Sequence, residues 1–168
     1  THESNSRGLR DAKNFLSSFV KVKEDMENSH WEPQTQEVQL FTLNPSSQEF
    51  IDVQTIFHKT MPRVPLKSVQ RIQNKFLWRQ YINTKRAFEI KNGQDANELR
   101  LFHGTRATSP EAIYNTHDGF DMRFSSQGMW GKGTYFAVNA SYSKDYASIS
   151  PQGKQMFLAK VLTGDSIH

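Results

Sequence analysis

The sequence predicts an α+β domain. Helical and strand-like periodicities follow one another without the regular strand, helix, strand rhythm of a parallel sheet, and there is no internal repeat. Its glycine-rich run, Gly128-Met-Trp-Gly-Lys-Gly133, opens strand-like residues, whereas nucleotide-binding glycine loops open a helix at a fixed spacing. At 168 residues the chain holds one domain with a real core. Residues 1–34 are polar and read as a tail or docking helix, with Phe15, Leu16, Phe19 and Val20 on one helical face, and the domain proper occupies residues 35–168.

The segment from Glu37 alternates and runs into Asn44-Pro45, a strand ending in a turn. Ser46 with Glu49 spells a capping box for a helix that carries Phe50, Val53, Ile56 and Phe57 and stops by Pro62. Leu66 to Ile72 is a second strand. Asn74 then caps a helix bearing Leu77, Trp78, Tyr81, Ile82 and Phe88, closed by Asn92-Gly93, with the charges from Lys85 to Lys91 as its solvated face. The strand Glu98 to Phe102 delivers His103. After it Ser109 caps, Pro110 takes the first helical position, Glu111 complements the helix dipole and Gly119 terminates. A strand at Gly133 to Ala137, a short helix from Ala140 to Ala147, and a strand from Gln155 to Leu162 ending at Thr163-Gly164 complete the series.

A net charge of +4 with acidic residues scattered among the basic ones suits an anionic ligand without demanding nucleic acid. The absence of cysteine removes disulfides, thiolate nucleophiles and cysteine-based zinc sites, and fits a reducing compartment. There is no apolar run of membrane-span length, and the first residues lack the apolar core of a secretory signal. The expectation is an intracellular protein, cytoplasmic or nuclear, with no membrane partner.

Two clusters carry the chemistry. At the end of a strand, His103-Gly104-Thr105 places an imidazole and a hydroxyl, each a donor and an acceptor, around a glycine whose backbone a planar amide can approach. The first two groups suit the vicinal hydroxyls of a ribose. On the tripeptide alone, a surface or satisfied core histidine is the commoner reading. Downstream, Tyr135 falls on a strand, and Tyr142, Ser143 and Tyr146 on the following helix. Tyr142 and Tyr146 share a face there, and Ser143 neighbours Tyr146. That face can stack a planar ring and bond its substituent, although aromatics so placed are usually core with the hydroxyl at the rim.

In their order, LFHGT, then GKGTYFA, then NASYSKDY and MFLAKVLTG, these runs resemble the catalytic domain of the poly(ADP-ribose) polymerase superfamily, the diphtheria-toxin-like ADP-ribosyltransferases. The upstream VQRIQNKFLW and the pair Asn97-Glu98 are similar to the branch that transfers single ADP-ribose units. The resemblance covers about residue 30 onward. It implies an ADP-ribosyltransferase-like fold of mostly antiparallel split sheets with short flanking helices, the last strands lying past His168. It also implies an NAD+-dependent transfer of ADP-ribose to a protein acceptor with release of nicotinamide.

By the same resemblance His103 bonds the adenosine-side ribose with Thr105 in support, and the backbone of Gly104 binds the nicotinamide carboxamide. Tyr135 packs beside the nicotinamide and its ribose. Ser143 binds the carboxamide, Tyr146 stacks the ring, and Arg123 faces the adenosine or pyrophosphate side. His103 and Tyr135 are the residues set closest to the reaction. No metal is expected, since the sequence has no HExxH and no cysteine ligand set. The rival reading is an inactive NAD+- or ADP-ribose-binding or protein-interaction module of the same fold. Retention of both His103 and Tyr135 favours the enzyme, and the clustering of the aromatics argues against a nucleic-acid binder.

Overall fold

The computed structural model describes residues 30–164, apart from 94, 107, 126, 130, 152 and the side chain of 124. The chain divides into two units, Thr1–Thr35 and Gln36–His168. Of the first, residues 30–35 are described, without helix or strand, and the helical face expected at Phe15 to Val20 lies outside the described residues.

The second unit begins with β1 (Val38–Thr42), α1 (Gln48–His58), β2 (Gln70–Asn74) and α2 (Lys75–Asn92). β1 and β2 pair antiparallel, from Val38 opposite Asn74 to Thr42 opposite Gln70. β2 thus starts later than Leu66 and runs on to Asn74, because its length is set by its partner. The cap of α1 is Ser47, not Ser46. Asn44 Oδ1 accepts the Ser46 N–H at 2.9 Å in a local turn, which leaves the Ser47 hydroxyl to accept from Phe50 N at 3.3 Å. Glu49 pairs with Arg71 at 2.6 Å and ties α1 to β2. The helix ends at His58, four residues short of Pro62.

Asn74 starts α2 as expected, its Oδ1 accepting from Leu77 N at 3.0 Å, and Gly93 ends it at φ 64°. The Asn74 amide also donates to the carbonyls of Tyr114 (3.0 Å) and Thr116 (2.9 Å), so this buried side chain joins a helix start to a distant loop. Lys85 is not merely solvated: its Nζ bonds Glu98 at 3.0 Å, beside Tyr81, whose hydroxyl donates to the same carboxylate at 2.5 Å.

β3 (Glu98–His103) follows and pairs antiparallel with β8 (Phe157–Leu162), Glu98 opposite Leu162 and His103 opposite Phe157. Between them lie α3 (Glu111–Tyr114), a 3-10 turn (Met122–Phe124) and the two-residue strands β4 (Gln127–Gly128) and β5 (Gly131–Lys132). α4 (Ala140–Ser143) continues as a second 3-10 turn (Lys144–Tyr146), and β6 (Ser148–Ser150) forms a hairpin with β7 (Gly153–Gln155). Among the described residues the sheets are four separate antiparallel pairs, the mixed split-sheet α+β architecture that the sequence predicts.

Four further elements are shorter than expected, among them α4, which gives way to a 3-10 turn after Ser143. α3 stops at Tyr114 instead of reaching Gly119, because the carbonyls of Tyr114 and Thr116 are taken by Asn74. The Gly133 to Ala137 strand is reduced to one bridge, Ala137 to Phe102. β8 begins at Phe157, since Gly153–Gln155 folds back on β6. The core where these elements meet comprises Phe57, Met61, Phe102 and Ala140, with Ile56, Leu66, Met156 and Leu158 packed on it. It fixes the end of β3 against the start of α4.

Candidate active site

Phe102 and Ala137 exchange both backbone bonds, at 2.7 and 2.9 Å. Among the described residues the pairing ends at that rung. Where a second rung would join Gly104 to Tyr135, the Tyr135 carbonyl instead lies 2.8 Å from His103 Nδ1. A carbonyl only accepts, so Nδ1–H is the donor, and in the neutral ring this tautomer leaves the lone pair on Nε2. Gly104 follows directly on the end of β3. An acceptor nitrogen and a backbone donor and acceptor thus stand within two residues.

The imidazole is held by rings. Phe120 meets it edge-on at 5.1 Å and Phe136 lies tilted against it at 5.3 Å, while Phe120 also contacts Phe136 (5.0 Å) and Phe157 (5.5 Å). Phe120 reaches this place because Gly119, at φ 62°, turns the chain directly over Leu77 of α2.

Gly104 has a further reason to lack a side chain. A β-carbon there would stand 2.4 Å from the carbonyl carbon of Tyr146 and 2.7 Å from Ala147 N. This close approach brings the 3-10 turn, and with it Tyr146, to the end of β3. Thr105 is buried, and its hydroxyl donates to the Thr108 carbonyl at 2.6 Å, which shapes the loop after β3.

Tyr135 is partly exposed. Its hydroxyl donates to the Gly131 carbonyl at 2.6 Å, and its ring lies so close over Gly128 that a β-carbon would meet it at 2.7 Å. The glycine-rich run is therefore a small hairpin that props the Tyr135 ring. Ser143 is buried at the end of α4. Tyr142 and Tyr146 share a face, ring centroids 5.6 Å apart, and the hydrogen bond between them pushes the Tyr142 hydroxyl above its ordinary value.

Arg123 is exposed and paired with both Asp118 and Asp121. Its side-chain hydrogen bond with Asp121 raises the guanidinium and lowers that carboxyl, so the cation is already matched by two anions. Of the seven candidates, the structure links His103 with Tyr135 and Gly104 with Tyr146, and sets Ser143 one turn before Tyr146. The polar groups of Thr105 and Arg123 are engaged within their own loops. Sequence reasoning assigns no role to Phe120, Phe136, Gly128 or Arg106. For the first two the signal is an aromatic next to each motif, after Gly119 and inside the TYFA run.

Among the described residues no group of three or more His, Asp or Glu side chains is placed to hold a metal ion, and no helix is long and apolar enough to cross a membrane.

Residues 47–168 match the family model of the poly(ADP-ribose) polymerase catalytic domain. The chain is 42% identical over 137 residues to a probable poly [ADP-ribose] polymerase of Dictyostelium discoideum, covering 77% of this chain and 41% of that protein. It is 36% identical over 159 residues to the human protein mono-ADP-ribosyltransferase PARP14, covering 91% of this chain and 9% of that protein. With the mouse protein mono-ADP-ribosyltransferase PARP12 it shares 39% identity over 129 residues, 75% of this chain and 18% of that protein. The chain spans less than half the length of each of these relatives.

Proposed function

Because the chain belongs to the poly(ADP-ribose) polymerase catalytic-domain family, we propose that it is an NAD+-dependent transferase that moves single ADP-ribose units to protein acceptors and releases nicotinamide. Residues 35–168 form its catalytic unit, with residues 1–34 as a tail or docking helix. The cysteine-free sequence supports an intracellular setting, cytoplasmic or nuclear. The observation that carries the reading is the bond between His103 Nδ1 and the Tyr135 carbonyl, which leaves Nε2 as an acceptor for a ribose hydroxyl.

The chemistry follows from two grips on one substrate. His103 holds the adenosine-side ribose, with Thr105 shaping the loop beneath it. The Gly104 N–H and C=O and the Ser143 hydroxyl take the carboxamide, while Tyr146 stacks the nicotinamide ring and Tyr135 flanks it. Arg123 stands at the adenosine or pyrophosphate side, where a phosphate oxygen has to displace one of its two carboxylate partners. Holding both ends fixes the bond between nicotinamide and ribose in the geometry where it breaks most readily. The electron pair of that bond goes to the nicotinamide, which leaves neutral, and the ribosyl carbon becomes oxocarbenium-like. An oxygen or nitrogen of the acceptor side chain bonds that carbon and releases its proton to solvent.

The test is nicotinamide release from NAD+ by the chain, with His103→Ala and Tyr146→Ala, beside calorimetric titration with nicotinamide and a non-hydrolysed NAD+ analogue. Release and binding that both fall in folded variants support the reading. Binding without release by the wild-type chain, given a protein acceptor, would identify a binding module instead.

A further inference from the structure

Arg106 has no part in the roles assigned above. It adopts φ 52°, the left-handed region that residues with a β-carbon seldom occupy. Two contacts hold it there, both to Tyr146. Its backbone N–H donates to the Tyr146 carbonyl at 2.7 Å, and its guanidinium carbon lies 4.3 Å from the centroid of the Tyr146 ring. A guanidinium at that distance over a phenol ring makes a cation–π contact, and its planar shape covers the ring as an ammonium cannot. With Gly104 against the Tyr146 peptide, residues 104 and 106 engage Tyr146 from backbone to ring.

The direction of approach decides what the contact does. Arg106 lines an open cleft of about 790 Å³ with Ser109, Asp145, Ser148 and Gln155, and neither His103, Tyr135, Ser143 nor Tyr146 lines it. Arg106 therefore faces a cleft lined by none of these four candidate residues, while its guanidinium covers one face of the Tyr146 ring.

We infer that Arg106 is a positioning residue: it backs the Tyr146 ring and fixes its plane, so that the opposite face is presented ready-oriented to the planar ring of the substrate. This inference rests on the function proposed above. Arg106 touches no reacting atom and acts through Tyr146. Freeing the ring weakens its stacking with the bound substrate equally in ground and transition states, which raises KM and leaves kcat in place.

The experiment uses Arg106→Asn, which removes the guanidinium but tolerates the left-handed backbone, and Arg106→Lys, which keeps a cation. In Arg106→Asn the KM for NAD+ is expected to rise about threefold to tenfold, with kcat within about twofold of wild type, and Arg106→Lys to recover part of the loss. In a Tyr146→Leu background Arg106→Asn should change KM no further. With 13C-labelled tyrosine, the Tyr146 ring resonances, assigned by their loss in Tyr146→Leu, should move in Arg106→Asn while the chain stays folded. An unchanged KM overturns the inference, as does a lowered one, which would mean that Arg106 covers the substrate's face of the ring. So does a rise in KM that persists undiminished without Tyr146. A wild-type chain that neither binds nor cleaves NAD+ overturns the proposed function instead. The ring resonances then decide the role of Arg106 alone: movement supports the positioning of Tyr146, and unmoved resonances overturn it.

Discussion

Gly104 lies against the peptide that follows Tyr146, where a β-carbon would stand 2.4 Å from the carbonyl carbon and 2.5 Å from its oxygen. Both atoms are backbone, and the oxygen is bound by the Arg106 N–H at 2.7 Å, so neither can swing aside. Gly104→Ala should push the 3-10 turn off the end of β3. The expected cost is about 2–4 kcal/mol in urea unfolding and a loss of about 100-fold or more in nicotinamide release.

Gly128→Ala makes a contrast. The atoms a β-carbon would meet there are the far end of the Tyr135 ring, at 2.7 to 2.8 Å, and a ring can rotate away. Stability should fall by less than about 1 kcal/mol. The bond from Tyr135 to the Gly131 carbonyl breaks, the ring leaves its place, and NAD+ affinity measured by calorimetry drops while the thermal midpoint barely moves.

Glu98 gives the fold a pH dependence. Burial raises its carboxyl, but hydrogen bonds from Tyr81 and Lys85 and the charges of Lys160 and Lys85 outweigh burial and hold it below the usual value. A carboxyl depressed in the folded state contributes stability that is complete above its unfolded value, about 4.3, and is lost as pH falls through the lower folded value. Unfolding free energies of Glu98→Gln should therefore lie about 1 kcal/mol below wild type at neutral pH. The two curves should converge as the buffer is acidified below about pH 4. Parallel curves would refute the assignment.

Ser148 is 7% exposed, and among the described residues its hydroxyl has no hydrogen-bond partner. Burying an unpaired hydroxyl is unfavourable, so Ser148→Ala should stabilise the chain by about 0.5–1.5 kcal/mol, read as a higher thermal midpoint.

Where the signal is local, the fold was legible in the sequence. Asn74 as cap, Gly93 as terminator and the strand ending at His103 each depend on residues within a turn of one another. The misses come from partners far along the chain. The extended reading of Gly133 to Ala137 ignores an imidazole 32 residues away that takes the Tyr135 carbonyl, and the long reading of α3 ignores the Asn74 amide 40 residues before Tyr114. The candidate site divides in the same way. His103, Gly104, Tyr135, Ser143 and Tyr146 sit in short runs whose order marks them, whereas Arg106 is visible only once its ring partner is placed.

Asn74 spends one side chain on three backbone groups, the amide of Leu77 and the carbonyls of Tyr114 and Thr116. The first turn of α2 therefore cannot fray without releasing the loop that leads to Phe120, and that loop cannot lift without uncapping the helix. In hydrogen exchange the Leu77 amide and the amides from Asn115 to Gly119 should open as one cooperative unit with a shared free energy. The imidazole beside Phe120 then inherits its rigidity from an asparagine at the last rung of the β1–β2 pair, opposite Val38.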